Sequence, residues 1–94
     1  MKLDYRIKIL YRKNLKMSPG KIAAQAVHAA IGISASEPSI SVIVLGVSDA
    51  KFNIEKAANR CYVVEDAGRT EVPPNTETCL AFYDRIIDGD YDAR

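Results

Sequence analysis

Hydrophobic and polar positions alternate through residues 3–11, LDYRIKILY. Leu3, Tyr5, Ile7, Ile9 and Tyr11 fall on one side, and Asp4, Arg6, Lys8 and Arg12 mostly on the other. A period of two predicts a strand with one wet or half-covered face. Residues 12–18 are a polar loop. Ser18-Pro19 then opens a helix, because Ser caps well and Pro suits the first helical position. The helix is expected to reach about Ala35, ended by Gly32 and the SASEPS turn. Residues 40–47, ISVIVLGV, form an unbroken apolar, β-branched run, which predicts a strand covered on both faces. A short helix is expected over 48–59, capped by Ser48, with Phe52, Ile54, Ala57 and Ala58 inward. Residues 61–65 and 78–83 read as two further strands separated by a loop of about a dozen residues. The acidic tail, 84–94, is expected to fray. The order β-α-β-α-β-β predicts one α/β domain over residues 1–94, with a four-stranded mixed, mostly parallel sheet flanked by helices. The direct link between the last two strands would make one pair antiparallel.

Composition narrows the class. The chain has 94 residues, 48% of them hydrophobic and 27% charged, which suits a small globular domain. A domain this size sits low on the surface-to-volume curve, so its stability is expected to lean on an oligomer. Charges run throughout KLDYRIKILYR, which is not a signal-peptide pattern. The longest apolar run, Ile22 to Ala35, is broken by Gln25 and His28 and is too short for a bilayer. The reading is a soluble, cytoplasmic protein with no membrane partner. Cys61 and Cys79 form no CxxC pair and there is a single His, so reduced thiols are expected and no metal site. The net charge of +1 hides an asymmetry, because residues 1–21 hold seven basic residues against Asp4 alone. A basic end on a near-neutral chain suits a polyanion; a solvated strand face balanced by the acidic remainder explains it equally well.

Two segments concentrate polar chemistry. In the first helix Ile22, Ala26, Ala29, Ala30 and Ile33 make an apolar face. Lys21, Gln25, His28 and Gly32 make a second stripe at the same spacing, with no acid anywhere in the helix. Its N-terminus, flanked by Lys16, Ser18 and Lys21, offers free N–H groups and a positive dipole end to a phosphate or carboxylate. It is not a P-loop, because Leu15 and Ile22 stand where Gly and Ser/Thr belong. The second segment, DAGRT at 66–70, leaves the third strand at its carboxyl end, where α/β sheets bind ligands. If the strands are parallel, Lys21 and Asp66 converge on one edge. An ordinary helix start and a self-bonded turn explain the same residues without function.

Together RKNLKMSPGKIAAQAVH at 12–28 and DAGRTEVPPNTETCLA at 66–81 resemble the two signature blocks of the type 2 peptidyl-tRNA hydrolases. Arg12, Leu15, Lys16, Met17, Gly20, Lys21, Ala23, Ala24, Gln25, His28 and Ala29 match the first block. Asp66, Ala67, Gly68, Thr70, Val72, Pro73, Thr76, Thr78 and Leu80 match the second. The resemblance implies a mixed four-stranded sheet, a frequently dimeric assembly, and metal-free, cofactor-free hydrolysis of the ester joining a peptide to tRNA. It makes Lys21, Asp66, Thr70 and Thr78 the catalytic group. It makes Arg12, Lys13, Lys16, Ser18, Gln25, His28, Gly68 and Arg69 the surface for peptidyl-tRNA. Asn14 stands where the family usually has Asp, and Asn75 where it usually has Gly. Two other readings stay open: a non-catalytic RNA- or protein-binding module that keeps the fold, and an unrelated anion-binding domain using only the helix start.

Overall fold

The computed structural model describes residues 5–35, 40–68 and 71–85. The elements run β1 (Tyr5–Arg12), a 3-10 turn (Lys13–Leu15), α1 (Pro19–Gly32), β2 (Ser41–Val47), α2 (Asp49–Ala58), β3 (Tyr62–Glu65) and β4 (Glu77–Arg85). The sheet order is β2-β1-β4-β3. β1 pairs with β2 in parallel, while β4 runs antiparallel to both β1 and β3. Three strands therefore point one way and β4 opposes them, which gives the mixed α/β sheet expected from the element order. β1 lies between β2 and β4, with Ile7 and Ile9 buried on one face and Leu10 on the other.

Ile7 and Ile9 join Val64, Cys79 and Ala81 beneath α1, where Ala29 is fully buried and Ala26, Ala30 and Ile33 pack alongside. The alanines let the α1 backbone lie close to the sheet. Leu10, Leu80 and Phe82 face the other way and close around Phe52 of α2. Burying so many aliphatic and aromatic side chains is the main stabilising term, at about 25 cal/mol per Å² removed from water.

Several expectations change. α1 stops at Gly32, with Ile33 as its C-cap. β4 is longer than expected and takes in Asp84 and Arg85 of the acidic tail; the rest of the tail lies outside the described residues. In α2 only Phe52 is buried, and Ile54 is 61% exposed. β2 is not covered on both faces. It is an edge strand, and Val42, Val44 and Leu45 are exposed. Its apolar run signals a parallel neighbour on one side only. Both cysteines are free; Cys79 is buried and Cys61 half-buried. Among the described residues no helix is long and apolar enough to cross a membrane.

Candidate active site

The carboxyl ends of β1 and β3 lie on one edge of the sheet because both strands oppose β4. α1 begins there after the short turn that leaves β1. Ser18 caps it, its Oγ accepting from the Lys21 N–H at 3.2 Å. Lys21 then extends toward Asp66, the first residue beyond β3, and its Nζ donates to Asp66 Oδ1 at 2.6 Å. The pair is largely withdrawn from water, with the side chains 10% and 8% exposed.

Every oxygen of Asp66 has a donor. Oδ1 also accepts from Gln25 Nε2 at 3.2 Å, and Oδ2 accepts from the Gly68 N–H at 2.7 Å. Lys21 first, then the Gly68 N–H, holds the Asp66 carboxyl below the usual carboxylate range. Gly68 makes its contact at φ +79, a conformation that side-chain-bearing residues resist, and a Cβ there would meet Pro74 backbone at 2.4 Å. The loop is closed at its neck, where the Asp66 N–H donates to Thr76 O and the Asn75 N–H to Asp66 O.

Gln25 is the unexpected member. The spacing groups it with Lys21, His28 and Gly32 on one stripe, yet it is 4% exposed. Both ends of its amide are used: Oε1 accepts from the Thr78 hydroxyl at 2.6 Å while Nε2 donates to Asp66. Thr78 is fully buried and reaches Gln25 because the β3–β4 register slips between Val64 and Glu65. Val64 faces Cys79 and Glu65 faces Glu77, which leaves Thr78 as the extra residue. A bulge of this kind turns the extra side chain toward the opposite face, here toward α1. Cys79 follows, its thiol donating to the Gln25 carbonyl at 3.1 Å; burial pushes that thiol up to about 12.

A second carboxylate was not anticipated. Glu71 accepts from both the Ser18 N–H and the Ser18 hydroxyl, each at 2.7 Å. These two bonds hold its carboxyl below the ordinary range, the backbone bond foremost. The chain's own acid thus fills part of the anion position at the α1 start. The one signal for it in the sequence is that the first turn of α1 carries no acid, so a partner for the dipole must come from elsewhere.

The remaining residues are distributed unevenly. His28 is exposed and lines the same cleft as Lys21 and Asp66. Lys13 and Lys16 are exposed beside the α1 start. Arg12 lies on the α2 face of the sheet, where its guanidinium holds Asp49 at 2.9 and 3.2 Å and donates to Glu77 O at 2.8 Å. Arg69 and Thr70 lie outside the described residues. Among the described residues no cluster of three His, Cys, Asp or Glu could hold a metal ion. The cleft runs along α1 from Ser18 to Gly32 and has a volume of about 850 Å³.

An ammonium and a carboxylate paired at the carboxyl ends of strands, beside a helix start, define a small α/β protein with a candidate site in a cleft that both groups line. The family described as Peptidyl-tRNA hydrolase PTH2 matches residues 5–41. A peptidyl-tRNA hydrolase of Methanothermobacter thermautotrophicus is 40% identical over 88 residues, covering 77% of this chain and 79% of that protein. Those of Methanopyrus kandleri and Metallosphaera sedula are 35% and 30% identical, over 81% and 76% of this chain and 81% and 79% of theirs. The chain belongs to this peptidyl-tRNA hydrolase family.

Proposed function

We propose that the chain hydrolyses the ester between a peptide and tRNA, releasing both. Family membership supports the reaction. The site observation that carries it is the buried Lys21–Asp66 pair at the head of the cleft. Asp66, ionised at neutral pH, accepts one O–H of a water and aims its oxygen at the ester carbonyl carbon. As that bond forms, the water proton passes to Asp66. The carbonyl oxygen gains negative charge, and the Lys21 ammonium donates to it. Collapse breaks the bond to the ribose oxygen, which takes the proton from Asp66. A carboxylate held below its usual range is a weaker base than a free one, so orientation and the Lys21 charge carry more of the rate than proton affinity. His28 stands two turns along α1, about 10 Å from Lys21, which favours Asp66 as the group acting on water. Thr78 acts through Gln25, because its hydroxyl has no open surface. Lys13 and Lys16 meet the tRNA backbone, and the work belongs to the cytoplasm, where translation supplies the substrate.

The exposed apolar edge strand β2 supports a homodimer formed along it. Val44→Lys is then expected to convert a dimer to a monomer in sedimentation analysis.

The reaction is tested by release of N-acetyl-aminoacyl groups from tRNA in the presence of chelator. Wild type should release them, and Lys21→Ala and Asp66→Ala should each lower kcat/KM by about 10²–10³-fold with the fold intact. Salt-sensitive tRNA binding without release would favour a binding module instead.

A further inference from the structure

The cleft does not end at the catalytic pair. Beyond Gln25 its walls become apolar: Ile31, Gly32, Tyr62 and Val64 line it, with His28 between the two ends. The Tyr62 ring lies flat against Gly32, so close that a Cβ at Gly32 would fall 2.2–2.5 Å from ring carbons. Tyr62 keeps 45% of its surface exposed and Ile31 67%, so ring and aliphatic chain present open apolar area to the cleft. Among the described residues no lysine or arginine lines this end, and the acid Glu65 lines the cleft. That chemistry repels a phosphate backbone and suits an uncharged side chain.

Distance decides which part of the substrate arrives there. Tyr62 and Asp66 are four positions apart along β3 and its exit, about 13 Å at strand rise. An extended peptide covers about 3.4 Å per residue. A peptide whose ester carbonyl sits at Asp66 therefore brings its fourth residue, counted back from the ester, over Tyr62. We infer that Tyr62, Ile31 and Gly32 form a subsite for an apolar side chain about four residues upstream of the ester. The enzyme then reads peptide length and distal sequence, not only the blocked amino acid. The inference rests on the hydrolase reading and names the part of the substrate held at that end of its cleft.

The test uses 3′-amide analogues of the peptidyl-tRNA end, which bind but are not cleaved, carrying acetyl-Gly, acetyl-tetraglycine or acetyl-Leu-triglycine. The leucine peptide should bind wild type about tenfold tighter than tetraglycine, the usual return on one apolar side chain in a partly open pocket. Tyr62→Ala should reduce that ratio to near one, and Ile31→Ser should lower it without touching the Tyr62–Gly32 contact. Equal binding of all three analogues by wild type overturns the subsite. So does a Tyr62→Ala loss that is the same for acetyl-Gly and for the leucine peptide, which would assign the ring to the terminal nucleoside. The matching esters are then assayed for release. A leucine preference in binding with no ester cleaved leaves the subsite standing and removes the hydrolase reading.

Discussion

Lys21 does two things at once: it neutralises Asp66 and it presents a positive charge to the cleft. Because Asp66 takes its largest downward pull from Lys21, its folded-state pKa lies under the unfolded value of about 3.9. The sign follows directly. The ionised form contributes stability above the unfolded pKa, and that contribution is lost as pH falls through the lower folded value. An NMR titration of the Asp66 carboxyl should therefore give a midpoint below 3.9, moving upward in Lys21→Met. A midpoint unmoved by that substitution would mean that the Gly68 N–H, not the ammonium, sets the ionisation. Lys21 and Asp66 were legible in the sequence because a helix start and a strand exit both announce themselves. Glu71 was not, since one acid in a loop looks like any other until its distance to Ser18 is known.

At the scale of elements, the bulge in β4 matters more than the helix stripe. Periodicity groups Gln25 with Lys21 and His28, but a 3.6-residue repeat does not say how close a strand side chain approaches. Thr78 approaches because one extra residue turns it toward α1. Thr78→Val keeps the shape but leaves the buried Gln25 Oε1 without its short donor, an expected cost of about 1–3 kcal/mol in denaturant unfolding. Thr78→Ser should recover most of it; if valine costs nothing, Gln25 has another way to be satisfied. β2 departs from its sequence pattern for a related reason. An unbroken apolar run reports what a strand can bury, not whether the fold supplies a second neighbour. The order of elements was readable throughout, because turn chemistry and period changes are local. Pairing order and register depend on contacts between distant residues.

Across the whole molecule, positive charge divides between the two faces of the sheet. Arg12 and Arg6 are committed to Asp49 and Asp84 on the α2 side. Lys13 and Lys16 are exposed next to the α1 start. Replacing both lysines by Ala should therefore flatten the salt dependence of tRNA binding by about 1.5 units of slope, measured as log K against log salt. Arg12→Ala should leave that slope alone and loosen α2. An unchanged slope in the double lysine variant would place the tRNA on another surface. The asymmetry of charge was visible in the sequence; its partition between two faces was not, because it depends on which arginines find carboxylates.

The position of β1 also governs how the chain comes into being. Its inner neighbour is β4, and the Arg6–Asp84 tie joins residues 78 positions apart. Neither face of the sheet can close on its core until β4 is available, since Leu80, Ala81 and Phe82 supply part of both cores. During its own synthesis the chain therefore holds its first strand and the apolar face of α1 only partly packed until β4 emerges. Such long-range closure is slow and leaves apolar surface open meanwhile. Chains released early should accordingly fail to fold as units rather than yield a smaller working domain.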